Sequence, residues 1–344
     1  MSAPLRMLVW PGMPADEALD AVEARLGVAV EAVAIATNEQ LEQRLLAGER
    51  YDVVTPSDYM VERLAARGAL LALDDALLPG RAGLAPWTRG PVWDPDERWS
   101  VPLAFGTTGV LYDRERIGEE EAASWSALLD PPEGVEVGLL AELREVLGAA
   151  LIAAGRDVNA TDPESLAAAA ALLERRADAV VRFDSDDFVG PVRDGAVAAH
   201  HAWSGQAAKA VREQPRLGYA VPREGAVLWV TTAAIPAGCE RPELAHAAIE
   251  ALLDPQVARV TVERNGYATA NAAARAVLAP ELRDDPVLFP SAETVARCVT
   301  IRDVGAEGET RLERLWSRVS RRPGPSPQPT PTLSPIPSGR STRA

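Results

Sequence analysis

Cysteine, histidine and long apolar runs are scarce in this sequence. Cys239 and Cys298 lie far apart and without metal-site spacing, so a disulfide and two buried thiols both remain open. The adjacent pair His200 and His201 points to opposite faces if it lies on a strand, which disfavours a shared metal. No apolar run reaches the roughly 18 residues that a membrane-spanning helix needs. We therefore expect no metal site and no direct membrane insertion.

Positive charge is in the minority and is supplied almost entirely by arginine. The chain has 35 Lys and Arg residues against 50 Asp and Glu, a net charge of −15 and a pI of about 4.8, and Lys209 is its one lysine. Nucleic-acid phosphates require a basic surface. The composition therefore argues against nucleic acid as a partner and tolerates a cationic ligand.

Motifs of nucleotide-dependent or nucleophilic enzymes are missing as well. The sequence has no P-loop, no G-x-G-x-x-G turn and no G-x-S-x-G elbow. Glu142 and Glu145 lie three positions apart at the start of a predicted helix, where the helix dipole should keep both ionised. They could form a solvated first turn or an acid–base pair, but paired glycosidase carboxylates normally face each other from different elements. We expect no catalytic residue and no cofactor.

Strands and amphipathic helices alternate along most of the chain. The pattern predicts strands at 5–10, 28–35, 51–55, 101–112, 135–139, 180–183, 196–203 and 228–236, and helices at 15–26, 38–47, 58–67, 142–154, 163–176, 206–213, 241–253 and 254–264. This order predicts an α/β fold with parallel sheets, and 344 residues suffice for two lobes. Residues 104–112 and 226–234 are extended apolar segments that can cross between the lobes. Residues 323–344 contain seven prolines and no acidic residue, which predicts a disordered tail.

Polar residues mark the starts of several predicted helices. Asn38, Asp162 and Asp254 each precede or begin an amphipathic segment and are predicted to cap it. Ser57 and Asp58 join a strand to the next helix. Either side chain could cap that helix, or the Ser57 hydroxyl could face a ligand.

Aromatic residues make up 5% of the chain but recur where predicted strands end. Trp10, Trp203 and Trp229 lie at such positions, and Tyr59 and Tyr267 lie in the turn-like segments PSDYM and NGYAT. Open parallel sheets bind ligands at the carboxyl ends of their strands, and aromatic faces attract ammonium groups. A single tryptophan there is more often core packing, whereas the whole set indicates an aromatic cage for a cation or an apolar chain.

A series of segments in fixed order resembles one known family. From about residue 6 to about residue 320 the chain carries YDVVTPSDYMVERL, WSVPLAFGTTGVLYD, TDPESLAAAAALL, FDSDD, AWSGQA, GAVLWVTTAAIP and NGYATANAAAR at compatible spacing. These segments resemble the spermidine/putrescine-binding proteins of bacterial ABC importers. The resemblance implies a two-lobed periplasmic-binding-protein fold that closes on one ligand in the cleft between its lobes.

The resemblance also implies a division of the chain and a set of ligand contacts. Lobe 1 is expected at 5–107 plus 231–275 and lobe 2 at 108–230 plus 276–322. The residues matching the family's ligand contacts are Trp10, Ser57, Tyr59, Glu142, Glu145, Ser185, Trp203, Trp229 and Tyr267, together with Thr231 at the position of an acidic contact. In such a site rings enclose the methylene chain and carboxylates pair with the ammonium ends. The implied protein is a monomer that delivers a small amine to ABC permease subunits.

The chain departs from the family pattern at three places. Thr231 replaces an acidic residue two positions after the strand tryptophan, Pro11–Met13 replaces a Thr-Glu-Tyr run, and Ile301 replaces a Gln. Glu142 matches a contact at which the family commonly has Asp. Removing the carboxylate partner of a buried ammonium is costly. We therefore expect a polyamine-like cation, shifted from spermidine toward a shorter diamine, a monoamine or an amine with a neutral polar group.

Two other functions and one question of location remain open at the level of sequence. A binding protein of this fold could signal to a receptor instead of feeding a permease, or a hydrolase could use Glu142 or Glu145 as a base. The family works outside the cytoplasmic membrane, yet no signal peptide precedes the first predicted strand at Leu5. We expect an export signal upstream of the chosen start, with retention inside the cell as the alternative.

Overall fold

The computed structural model describes residues 3–320, so the proline-rich segment 323–344 lies outside the described residues. Its strands are β1 (Leu5–Val9), β2 (Val30–Ala34), β3 (Val53–Val54), β4 (Leu70–Leu71), β5 (Ser100–Asp113), β6 (Val137–Leu139), β7 (Val180–Phe183), β8 (Ala199–Trp203), β9 (Leu217–Ala220), β10 (Leu228–Pro236) and β11 (Ala268–Thr269). Three 3-10 helices (Asp75–Leu77, Pro79–Gly83 and Pro86–Thr88) lie between β4 and β5.

The helices lie mostly between the strands, as the alternating pattern predicts. They are α1 (Asp16–Leu26), α2 (Asn38–Leu46), α3 (Asp58–Ala66), α4 (Glu119–Ala122), α5 (Ser126–Leu129), α6 (Leu143–Ala153), α7 (Pro163–Arg175), α8 (Gly190–Arg193), α9 (Ser204–Glu213), α10 (Pro242–Leu253), α11 (Pro255–Asn265), α12 (Ala272–Ala276), α13 (Pro280–Arg283), α14 (Ala292–Arg297) and α15 (Gly305–Val319). None of the helices in this part of the chain combines the length and apolar character that crossing a membrane would require.

The strands form a mixed sheet with parallel ends and an antiparallel centre. Its order is β2-β1-β3-β10-β5-β8-β6-β7. The outer pairs, β1 with β2 and β3 and β6 with β7 and β8, are parallel. Around the centre, β10 and β5 pair antiparallel with each other and with their other neighbours. The α/β class is confirmed, and the antiparallel centre arises because the two long strands run between the halves of the molecule in opposite directions.

Three chain segments connect the two halves. Strand β5 pairs with β10 up to Thr107 and with β8 from Thr108 onward, so it passes from one half to the other at that point. The chain returns next to it, where the Val227 carbonyl accepts a hydrogen bond from the Thr108 N–H at 3.0 Å. The third connection runs past Val299, which forms an isolated parallel β-bridge with Val227. The first two connections confirm the crossovers predicted at 104–112 and 226–234.

Separate apolar cores define the two lobes. Lobe 1 has two adjoining clusters drawn mainly from residues 5–105 and 230–289, and lobe 2 has one cluster drawn from residues 110–227 and 301–319. Leu278, Leu288 and Phe289 belong to a lobe 1 cluster, whereas Ile301 belongs to lobe 2. The lobe boundaries stay a prediction, and this packing favours placing the last one between 289 and 301.

Helix caps agree with the sequence at two of the predicted positions. Asp162 accepts the Ser165 N–H at 2.9 Å and Asp254 accepts the Gln256 N–H at 2.8 Å. The prediction for Asn38 was wrong. Thr37 caps α2 by accepting the Gln40 N–H at 3.1 Å, which leaves the Asn38 amide free to bind a residue outside the helix.

Cysteine and histidine take structural positions. Cys239 and Cys298 are both free thiols, and each is partly buried instead of fully buried. His200 and His201 are buried on opposite faces of β8, one facing Phe188 and the other Trp125. Within residues 3–320 no group of three potential metal ligands occurs.

Candidate functional site

The start of α3 lies where the lobes meet, since Tyr59 packs against the cores of both lobes. The Asn38 side chain holds Ser57 in place, donating to the Ser57 hydroxyl and accepting its N–H, both at 3.0 Å. Ser57 is the N-terminal flanking residue of α3, but its side chain does not cap the helix. The hydroxyl of Tyr59, two residues further along the chain, donates to Glu39 at 3.1 Å. Ser57 and Tyr59 are therefore fixed by α2, although they belong to α3 or its approach.

Lobe 2 contributes the two predicted glutamates from the start of α6. Glu142 precedes the helix without capping it, and Glu145 lies in its first turn, 9% exposed. One oxygen of Glu145 accepts the Trp203 indole N–H at 3.2 Å. Ser185 lies beside this loop because its hydroxyl accepts the Ala141 N–H at 2.9 Å. Glu145 therefore contacts Trp203, and the loop that leads to Glu142 contacts Ser185, so these predicted residues are neighbours in lobe 2.

Trp229 and Tyr267 form an aromatic pair where the lobes meet. Their ring centroids are 5.4 Å apart and nearly perpendicular. Trp229 packs directly over Gly106, and Tyr267 packs over Gly205, the second residue of α9 in lobe 2. A Cβ on either glycine would lie far inside van der Waals contact of the ring. These two glycines therefore decide how closely the rings approach the backbone.

Thr231 and Trp10 complete the lobe 1 side. Thr231 is buried and forms an isolated antiparallel bridge with Ser57, so β10 and the start of α3 lie side by side. Trp10 follows β1, and its N–H donates to the Thr55 hydroxyl at 3.3 Å, which ties it to the end of β3.

Several buried polar atoms around these residues have no partner in residues 3–320. They are Nε1 of Trp10, Nε1 of Trp229 and Oε2 of Glu145. A buried donor or acceptor without a partner loses its hydrogen bonds to water without replacement, which costs about 1–3 kcal/mol each. All three atoms belong to predicted contact residues, and a polar ligand beside them would supply the missing partners.

Burial overrides the helix dipole at the glutamates. Burial, and after it the charges of Glu145, Glu39 and Asp186, raise the pKa of Glu142 to about 7. Burial raises the pKa of Glu145 to about 7, although its hydrogen bond from Trp203 acts in the opposite direction. The expectation that the dipole keeps both groups ionised was therefore wrong. A cation between them would restore their charged forms.

Sequence reasoning did not identify Asp58 as more than a possible cap. Its carboxylate accepts the Val230 N–H at 3.2 Å and the Tyr59 N–H at 2.8 Å, and it is 2% exposed. Burial raises the pKa of Asp58 to about 8. Glu39 was also missed. The sequence gives no signal for either, since both depend on segments brought together by folding.

Arginines surround the outer face of Tyr59. The guanidinium groups of Arg63 and Arg144 lie 5.7 and 5.9 Å from the centre of its ring. Both are held by Glu309 of α15, at 2.6 and 3.1 Å. Arg144 nevertheless acts electrostatically on Asp58 and Glu145 and lowers the pKa of each, against the larger effect of burial.

Two of the positions that depart from the family pattern have structural roles. Ile301 is buried in the lobe 2 core. Gly12 has a positive φ of 69°, and its carbonyl accepts a hydrogen bond from the Asn265 side chain.

A cavity of about 30 Å³ bordered by Tyr267, Val262 and Leu253 lies in lobe 1. Tyr267 is its one lining residue among the predicted ligand contacts.

Comparison with known proteins identifies a matching family and several relatives. Residues 17–290 match the family described as bacterial extracellular solute-binding protein. The chain is 32% identical over 303 residues to the spermidine/putrescine-binding periplasmic protein 1 of Haemophilus influenzae, covering 87% of this chain and 84% of that protein. It is 33% identical over 256 residues to the spermidine/putrescine-binding periplasmic protein of Escherichia coli, covering 74% of each.

A solved structure agrees with these relatives. The putative spermidine/putrescine ABC transporter from Listeria monocytogenes superimposes with a TM-score of 0.86 at 27% identity, covering 93% of this chain and 99% of that one. The two-lobed periplasmic-binding-protein fold is thereby confirmed. The chain belongs to the bacterial extracellular solute-binding protein family.

Proposed function

We propose that this protein captures a polyamine-like organic cation outside the cytoplasmic membrane and delivers it, as a monomer, to the permease subunits of an ABC importer. The names of the relatives support a ligand of the spermidine and putrescine class. The observation that carries the proposal is Glu145. It is buried, has one oxygen without a partner in the described part of the chain (residues 3–320), and lies beside Glu142 and the Trp203 indole.

The chemistry of the cleft suits an amine with a methylene chain. Indole and phenol rings from both lobes supply apolar faces. Carboxyl groups with raised pKa values supply counter-charges, because a bound cation favours their ionised forms. We propose Trp10, Ser57, Tyr59, Glu142, Glu145, Ser185, Trp203, Trp229, Thr231 and Tyr267 as the ligand contacts. Thr231 has no carboxylate, which favours a shorter or less charged amine than spermidine.

Titration calorimetry with putrescine, spermidine and agmatine tests the proposal. We expect saturable binding of at least one amine and weaker binding of spermidine than of the best ligand. Strongest binding to spermidine would reject the shift in specificity, and no binding of any amine would reject the function. The proposed role is binding without turnover, so the heat signal should stop at saturation. Heat that continues after saturation would instead indicate an enzyme.

A further inference from the structure

The first turn of α2 fixes the direction of the Ser57 hydroxyl group. The Ser57 backbone N–H can only donate, and it donates to Asn38 at 3.0 Å, so the amide oxygen of Asn38 must face it. The amide nitrogen of Asn38, which can only donate, then faces Ser57 Oγ, also at 3.0 Å. Asn38 is 6% exposed and is not needed as a cap, because Thr37 caps the helix. The Ser57 oxygen therefore accepts from Asn38, and its own hydrogen is left for another acceptor.

Thr231 lies directly across from Ser57. The two residues form an isolated antiparallel bridge. Residues opposite each other in an antiparallel pair carry their side chains on the same face, with Cβ atoms about 4.5–5.5 Å apart. Both side chains are neutral hydroxyls, and we call them the hydroxyl pair. If Ser57 donates to Thr231, the Thr231 hydrogen is left over in turn, so the hydroxyl pair has a hydrogen to donate in either arrangement.

The residue that follows Ser57 does not bring a free carboxylate to the hydroxyl pair. One oxygen of Asp58 accepts the Tyr59 N–H at 2.8 Å, and the other accepts the Val230 N–H at 3.2 Å. Both oxygens are thus engaged by the backbone. An ammonium group at the hydroxyl pair would have no acceptor for the spare hydrogen, and a buried ammonium without a carboxylate partner is costly.

We propose that Asn38 is a positioning residue that sets the ligand class: it holds the Ser57 hydroxyl as a donor beside Thr231, so the ligand carries a neutral oxygen acceptor at this end. The inference rests on the proposed function, in which Ser57 and Thr231 are ligand contacts and Glu142 and Glu145 bind an ammonium group. A ligand hydroxyl can accept from one member of the hydroxyl pair and donate to the other, whereas an ammonium group can only donate. The ligand class is therefore a monoamine with a neutral oxygen-bearing group, such as an amino alcohol.

Calorimetry with three four-carbon amines tests this assignment. The amines share one ammonium group and differ at the other end, where 4-amino-1-butanol has a hydroxyl, putrescine a second ammonium and n-butylamine a methyl group. We expect the wild type to bind 4-amino-1-butanol more tightly than putrescine and at least about fivefold more tightly than n-butylamine, as one hydrogen bond from a fixed donor provides. Asn38→Ala should bring the ratio of the 4-amino-1-butanol and n-butylamine affinities close to one. The n-butylamine affinity itself should change by less than about twofold, because a methyl group uses no hydrogen bond.

Two substitutions should reverse the order of the ligands. A carboxylate in Asn38→Asp can accept both the N–H and the O–H of Ser57, which leaves the Ser57 oxygen free to accept from the ligand, so putrescine should become the tighter ligand. Thr231→Asp places a carboxylate in the hydroxyl pair and should have the same effect. Gln43→Glu is the matched control for Asn38→Asp, because Gln43 is an exposed residue of α2 and the change adds the same charge to the same helix. The control should keep the wild-type order.

Two results would overturn the proposal. One is tighter binding of putrescine than of 4-amino-1-butanol by the wild type, and the other is an equal loss of affinity for all three amines in Asn38→Ala, which a purely structural role would produce. If thermal unfolding shows that Asn38→Ala does not fold, Ser57→Ala removes the same donor, and a retained preference for the amino alcohol in that variant would overturn the proposal as well. Absence of binding of these amines, of spermidine and of agmatine by the wild type would instead reject the proposed function.

Discussion

The guanidinium of Arg302 donates two hydrogen bonds to the carboxylate of Glu62, from Nε at 2.8 Å and from Nη2 at 2.6 Å. Glu62 belongs to α3 in lobe 1, and Arg302 follows the third interlobe connection in lobe 2. The neighbouring Arg63 bridges the same gap to Asp303 at 2.9 Å and to Glu309 at 2.6 Å. The helix that carries Tyr59 is therefore fastened to lobe 2 by a small ionic network.

Breaking this pair should weaken ligand binding without touching the site. Glu62→Gln or Arg302→Gln should lower amine affinity about twofold to fivefold, since a partly exposed ion pair contributes about 0.5–1 kcal/mol. Exchanging the two charges, with Glu62→Arg and Arg302→Glu together, should restore most of the affinity. Calorimetry provides the measurement, and the effect should shrink in high salt.

A matched control lies on α15. Arg311 pairs with Glu307 at 2.5 Å within one helix and does not join the lobes. Arg311→Gln should leave affinity unchanged. An equal loss in this variant would show that the Glu62 and Arg302 effects come from net charge and not from the connection between lobes.

Gly106 is predicted to control the position of Trp229. A methyl group at residue 106 would collide with the indole ring and with the Ser204 hydroxyl. Gly106→Ala should therefore displace Trp229, reduce amine affinity about tenfold or more and cost about 1–3 kcal/mol of stability, as overpacking usually does. Calorimetry and urea unfolding measure the two effects separately.

Gly118→Ala is the control for the loss of a glycine. Gly118 has an extended backbone with φ of −69°, and no atom lies within 4 Å of a Cβ built there. This variant should bind and unfold like the wild type. If Gly106→Ala also binds like the wild type, Trp229 is not a ligand contact.

The sequence predicted elements well where the signal is local. The strand at 228–236 has the predicted bounds, and the start signals at Asp162 and Asp254 hold, because periodicity and capping depend on neighbours in the chain. The ionisation of Glu145 was not predictable, since its burial depends on Trp203, 58 positions away. The contact between Asp58 and Val230 spans 172 positions, and that between Glu62 and Arg302 spans 240. Short-range patterns carry no information about such pairs.

Amine affinity should rise with pH between about 6 and 9. Glu142 and Glu145 have pKa values raised to about 7 and Asp58 to about 8, so at pH 6 all three carboxyl groups are mostly protonated. A bound ammonium group favours the charged forms, and binding at neutral pH should therefore release protons. We expect affinity at least about tenfold lower at pH 6 than at pH 8. Titrations in two buffers of different ionisation enthalpy measure the protons released.

Without ligand, the same groups should affect stability in the opposite direction. Their folded-state pKa values lie above the unfolded values of about 4, so the folded state binds more protons between these limits. Their contribution to stability is fully present below about pH 4 and is lost as the pH rises through 7 and 8. Thermal unfolding of Asp58→Asn should show a weaker decline across this range than the wild type. Parallel declines would show that Asp58 is not one of the groups responsible for the loss of stability.

His201 is predicted to limit stability in acid. Its ring is 1% exposed, lies edge-on to Trp125 at 5.1 Å, and has no hydrogen-bond partner on either nitrogen in residues 3–320. Burial, and after it the charge of His200, lowers the pKa of His201 to about 3. The folded pKa lies below the unfolded value of 6.5, so the stabilising contribution of the neutral ring is present above pH 6.5 and is lost as the pH falls toward 3.

His201→Phe keeps an aromatic ring against Trp125 and removes the titration. Urea unfolding should show this variant gaining about 2 kcal/mol relative to the wild type between pH 8 and pH 5, because the wild type loses that amount when its unfolded form takes up a proton. An unchanged difference between the two proteins at both pH values would show that His201 is not the group responsible.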